Sequence, residues 1–245
     1  MRAFITTILT FITLLGVAQT ILTPGKNSFE KKWMRQDTYQ MTWFAMKDTT
    51  KFELGEVSTK VLTNKKYITI VTVVNMKNSK GTWVDTTIAS ISTLAPVRHA
   101  SYNPQRNMVL NFGNIITGFY KDKIKQQSYT ISDTTTKEYF DSNLYPVLIT
   151  WLPLKKEYKQ DISIYDYNPS GKIGVITAYV KSVTNGIYQS VLSGTRDVWL
   201  VTVADEIGNN KDNFIIYYID KKDRKLWKQE INATGRKMIM QRKEL

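Results

Sequence analysis

Residues 66–76 read KYITIVTVVNM. Ile68, Ile70, Val74 and Met76 fall on one face of this stretch, and a period of two is the mark of an extended strand with one buried side. The pattern recurs on both sides of it. MVLNF at 108–112 aligns Met108, Leu110 and Phe112, and DISIYDY at 161–167 aligns Ile162 and Ile164. Toward the C-terminus KIGVITAYVKSV, IYQSVLS, RDVWLVTV, NFIIYYID, RKLWKQEIN and RKMIMQR follow one another, rich in the β-branched and aromatic residues that fit a pleated surface. Further strands are predicted at 38–46, 52–61, 82–91, 115–122 and 128–132.

The connections are short. Asn185-Gly186 predicts a two-residue hairpin, because both residues tolerate positive φ. Asn168–Gly171, Gly194, Asp220–Asp223 and Thr234-Gly235 supply further turns. Strands joined so tightly pair antiparallel as a meander. The expected fold is therefore mainly β, with ten or more strands in a curved antiparallel sheet, a half-barrel or barrel-like form rather than a wide open sheet. One segment decides for curling over splitting into a sandwich: FDSNLYPVLITWLPL at 140–154. Leu144, Val147, Leu148, Trp151 and Leu152 recur at helical spacing, Ser142 or Asn143 can cap, Pro146 fits the first turn and Pro153 is a stop. A short helix near 142–152, apolar on nearly every side, is expected inside the curve. The competing reading of PVLITWL is a buried strand.

Residues 1–18 read as an export signal, with Arg2, an apolar run from Ala3 to Val17 and small residues at Gly16 and Ala18; an uncleaved anchor is the alternative. An N-terminal extension at 19–37 then leads into one β-domain over 38–245. The chain has no cysteine, so disulfides, thiol catalysis and Cys-type zinc sites are excluded and the core alone must stabilise the fold. A formal charge of +13 is spread over turns, with clusters at Lys31-Lys32-Arg35, Lys121–Lys125, Lys155-Lys156 and Lys221–Lys243. That scatter argues against nucleic acid, which asks for a basic stripe interleaved with aromatics, and suits a solvated surface or contact with an anionic membrane or envelope polymer.

The order of features over roughly residues 138–242 resembles an exported bacterial family of unknown function whose fold is similar to the LolA/LolB type of periplasmic half-barrel. The resemblance is carried by FDSNLYPVLITWL, DISIYDYNPSGK, KIGVITAYVKSV, VWLVTV, IIYYIDKKDRKLWKQE and GRKMIM. It implies a curved sheet over a helix, a concave face that accepts a lipid tail or other apolar chain, and a periplasmic or outer-membrane-peripheral location. It carries over no catalytic residue and no cofactor.

Candidate site residues follow. Leu144, Tyr145, Leu148 and Trp151 would line an apolar ligand cavity. Arg98, His99, Tyr102 and Arg106, in an expected loop between Pro96 and Pro104, would meet an anionic headgroup. His99 is the only histidine, too few for a multi-histidine metal site; no Gly-x-Ser-x-Gly turn accompanies Ser101, and nothing in the sequence makes the two point the same way. No phosphate-binding glycine loop or dinucleotide fingerprint is present. The reading is a non-enzymatic carrier of a lipid or apolar molecule, or else an envelope scaffold with a filled core and a basic surface.

Overall fold

The computed structural model describes residues 20–25, 29–207 and 212–244. The expected export signal lies outside them. Among these residues fifteen strands form one sheet: β1 (Asp37–Lys47), β2 (Thr50–Thr63), β3 (Tyr67–Met76), β4 (Trp83–Ser90), β5 (Pro96–Tyr102), β6 (Arg106–Asn111), β7 (Ile116–Asp122), β8 (Gln127–Asp133), β9 (Phe140–Asp141), β10 (Gln160–Tyr167), β11 (Ile173–Ser190), β12 (Gly194–Asp205), β13 (Phe214–Asp220), β14 (Leu226–Ala233) and β15 (Arg236–Arg242). Among the described residues one α-helix, α1 (Tyr145–Trp151), sits between β9 and β10.

The spatial order is β8-β7-β6-β5-β4-β3-β2-β1-β15-β14-β13-β12-β11-β10-β9. Two meanders thus run outward from a seam in the middle of the sheet, where β1 pairs antiparallel with β15 (Met41 opposite Arg242, Ala45 opposite Met238). The pairing is antiparallel throughout except for β9 on β10. The β-ladder is not closed; its free edges are β8 and β9.

The curvature follows from what touches what. At about 4.8 Å per strand, β8 and β10 would lie some 60 Å apart in a flat sheet. Instead the Tyr165 hydroxyl on β10 donates to Asp133 on β8 at 2.8 Å. Phe112, Tyr139 and Tyr165 pack ring on ring beside them, with centroids 5.2–5.9 Å apart. The two ends of the sheet therefore meet through side chains, without a shared ladder. The helix lies inside the curve: Leu144, Tyr145, Leu148, Ile149, Trp151 and Leu152 are buried in one cluster with Met41, Val61, Ile68, Ile70, Ile162, Ile176, Val201 and Tyr217. Those partners span β1 to β3 and β10 to β13, more than one helix could reach on a flat sheet. The segment before β1 joins the same cluster through Leu22, whose N–H donates to Asp161 O and whose carbonyl accepts from Ser163 N.

Three local expectations are corrected. Asn185-Gly186 is not a turn: β11 runs straight through it, with Asn185 opposite Trp199 and Gly186 opposite Val198. Glycine serves there because the Leu200 side chain occupies the space a Cβ would need, its Cγ only 2.6 Å away. The turn of that hairpin lies at Val191–Ser193 instead. Neither Ser142 nor Asn143 caps the helix; Leu144 stands at the N-cap without a side-chain bond, and Pro146 occupies the first turn. The Pro96–Tyr102 segment is a strand, not a loop.

Candidate ligand cleft

A cleft of about 380 Å³ opens where the less deeply buried side of the helix, at Val147, faces the start of the seam and the β13–β14 turn. Its walls are Trp33, Tyr39, Val61, Val147, Trp151 and Leu226; Arg35, Asp37, Asp223, Arg224 and Lys225 supply charge. Trp33 is placed by a 3₁₀ turn at Lys31–Trp33, anchored to the helix by the Glu30 N–H donating to Trp151 O at 2.7 Å. Tyr39 is presented by β1, and Arg224 by the β13–β14 turn, where it adopts the left-handed conformation with φ 59°. Asp220 shapes that turn, its carboxylate accepting from the Lys222 and Asp223 N–H groups and its carbonyl from Arg224 N.

Arg224 is the unusual member. Its side chain is only 8% exposed. Nη2 donates to Glu30 Oε2 at 3.2 Å, while Nε and Nη1 are buried with no hydrogen-bond partner. The guanidinium lies over the Trp33 ring at 5.3 Å. Burial pushes its pKa down, and Glu30, which also accepts from Trp33 Nε1 and pairs with Lys32, offsets this only in part. A half-paired buried cation in an aromatic wall is costly until an anion completes its hydrogen bonds.

A second cleft of about 250 Å³ adjoins the first, sharing Tyr39 and Lys225. Leu192, Trp227, Arg242 and Lys243 line it. Arg242 resembles Arg224: its guanidinium lies 4.8 Å from the Tyr39 ring, Asp37 is 3.6 Å from Nη2, and Nη1 is buried without a partner.

Of the residues singled out for an apolar cavity, only Trp151 lines the cleft. Leu144, Tyr145 and Leu148 point into the solid core, and Tyr145 donates to Asp205 there. The useful face of the helix is the adjacent one, Val147–Thr150–Trp151. Of the residues singled out for a headgroup, β5 separates Arg98 and Tyr102 from His99 by strand alternation, leaving His99 and Arg106 on the concave face.

His99 forms a buried network there. Its Nδ1 lies 3.1 Å from Asp141 Oδ2, which also accepts from Thr87 Oγ1 at 2.6 Å. Asn143 Nδ2 stands 3.3 Å from the ring, and Ser142 Oγ donates to Asp166 at 2.8 Å. Burial works against charging either partner, yet their mutual attraction and hydrogen bonds prevail: the pKa of His99 is raised and that of Asp141 lowered. Asp166 behaves oppositely, burial raising its carboxyl. Ser101 does share the face of His99, two residues along the strand, but its Oγ is fully buried and unpartnered. The network ties β4 and β5 to β9 across the curl, and Thr87, His99, Asp141 and Asn143 are not among the residues that line the cleft beside the helix. Among the described residues no group of three His, Asp or Glu side chains is arranged to hold a metal ion.

No curated protein and no solved structure matches the chain. Residues 38–244, from the first residues of β1 to the end of the described chain, match the family described as "Protein of unknown function (DUF3108)", and the chain belongs to that family.

Proposed function

We propose that this protein is a non-enzymatic, exported binding protein that holds an apolar molecule with an anionic group in the cleft between the helix and the β13–β14 turn. The observation that carries the reading is the pairing, within about 380 Å³, of an aromatic wall (Trp33, Tyr39, Trp151) with the half-paired guanidinium of Arg224. The volume lies in the range of small-molecule sites, which are mostly apolar with a few placed polar groups. A lipid-like chain would lie against Trp33, Val147 and Trp151, and its acid group would complete the hydrogen bonding of Arg224. A role in the periplasm accords with the half-barrel resemblance of the sequence.

The test is native mass spectrometry of protein recovered from exporting cells, with solvent extraction of whatever copurifies. The expected result is a stoichiometric acidic lipid or isoprenoid adduct that disappears in Arg224→Met and in Val147→Glu while strand-type circular dichroism is kept. A bare mass in the wild type would sink the reading. It would favour a structural envelope protein instead, for which the complete burial of Leu144, Leu148, Ile149 and Leu152 is the supporting observation.

A further inference from the structure

We infer that the tip of the β11–β12 hairpin, with the basic rim beside it, is a docking surface for an anionic lipid bilayer. The tip carries two of the three most solvent-exposed large apolar side chains of the described residues: Val191 is 88% exposed and Leu192 67%, the third being Ile124 in the β7–β8 turn. They are not exposed through fraying. The N–H groups of Val191 and Leu192 and the Ser190 hydroxyl all donate to the Glu244 carboxylate, and Ser193 N donates to Ser190 Oγ at 2.8 Å. Behind the tip a small second core on the convex face holds the hairpin: Tyr188 stacks on Trp227 with centroids 5.3 Å apart, and Asp220 accepts from both Trp227 Nε1 and Arg196 Nε. A rigid hairpin that presents aliphatic residues to water has the form of a membrane wedge rather than of an ordinary turn.

Charge points the same way. The ladder pairs Ser190 with Gly194, Val198 with Asp220, Lys228 with Gln241, Met41 with Arg242 and Asp37 with Val61. These registers carry the 221–225 turn, residues 242–244 and the stretch before β1 to the end of the sheet where the hairpin tip stands. Lys221, Lys222, Lys225, Arg35 and Lys243 are thereby gathered from three parts of the sequence. Of the basic clusters, Lys121–Lys125 is carried by the β7–β8 turn to the opposite end, as are Arg236 and Lys237 by the β14–β15 turn. Basic side chains around an apolar tip complement a surface of anionic headgroups, to which they are attracted within a Debye length. The same end is continuous with the clefts, since Leu192 and Lys225 line the second and Lys225 lines the first. The surface adds to the binding reading without depending on it.

The full chain is tested by cosedimentation with vesicles of phosphatidylcholine containing about one third phosphatidylglycerol, and with phosphatidylcholine alone. Binding is expected to the anionic vesicles only, to weaken with salt, and to fall about tenfold in Val191→Asp/Leu192→Asp. Lys221→Glu/Lys222→Glu should lose roughly fivefold or more for each lysine. In Leu192→Trp, fluorescence should shift to the blue on anionic vesicles and be quenched by brominated acyl chains. Both tip residues are exposed, so the variants should keep the wild-type unfolding midpoint. Absence of binding, binding that survives the tip substitutions, or anchoring through the N-terminal segment alone would overturn the proposal. So would binding to duplex DNA at the same strength in wild type and tip variant, which would give the rim to nucleic acid. Loss of vesicle binding in a tip variant that still carries its adduct separates this surface from the cleft.

Discussion

At the scale of single residues, the most consequential pair is His99 and Asp141. His99 is raised above 6.5, so its contribution is complete below its unfolded pKa and is lost as pH rises through the folded value. Asp141 is lowered below 3.8, so its contribution is complete above its unfolded pKa and is lost as pH falls through the folded value. The pair therefore stabilises most between about pH 4 and 6.5. The expected outcome is a urea midpoint that declines as pH is raised above that window in the wild type, with the decline removed in His99→Gln. At pH 6 that substitution should cost about 3 kcal/mol or more, because it leaves the Asp141 carboxylate buried without its cation. A midpoint with the same pH dependence in both proteins would contradict the pairing. The sequence shows a single histidine and flags its surroundings as polar. It could not show Asp141, which lies 42 positions away and is delivered by the curl of the sheet. Arg224 was hidden for a similar reason: within DKKDRK it is one charge among many, and only its position under Trp33 removes it from water.

At the scale of elements, alternation located most strands to within a residue or two, because each has one dry face, and helical spacing located α1. What failed were the signals that depend on a neighbour. Asn185-Gly186 has the composition of a type I′ turn, but the Leu200 side chain claims the space over Gly186, and the strand continues for four more residues. The Pro96–Tyr102 strand escapes the alternation signal because the face it turns inward is polar, made of His99 and Ser101. Glycine has a different meaning in β7. A Cβ on Gly118 would stand 1.9 Å from the Val109 carbonyl oxygen, a backbone atom of the paired strand that cannot swing aside. Gly118→Ala should therefore push β7 off β6 and cost more than the roughly 1 kcal/mol typical of point substitutions. Loss of amide protection confined to β6, β7 and β8 is the expected hydrogen-exchange result, and a variant as stable as wild type would show that the two strands separate more easily than their ladder implies.

At the scale of the whole molecule, the meanders were legible and the seam was not. Short turns specify that β1 follows into β8 and β10 into β15, since each connection is local. Nothing local specifies that β1 and β15, some two hundred residues apart, form the centre of the sheet. That choice is made by the core: only when the two meanders lie side by side can residues from β1 to β3 and from β10 to β13 enclose one helix. The architecture makes the seam the step that couples the halves. It also predicts slow folding, because the loop closed between β1 and β15 is nearly the whole described chain. Ile239 on β15 stands opposite both Phe44 of β1 and Glu230 of β14. Ile239→Pro removes a ladder hydrogen bond where there is no free edge to absorb it, and should cost more than about 3 kcal/mol. If the seam couples the halves, amide protection in β3 and in β12 should fall together in this variant. Protection lost on one side only would mean that one meander, with or without the helix, holds its structure alone, and the two would then have to be treated as separately stable units that share an edge.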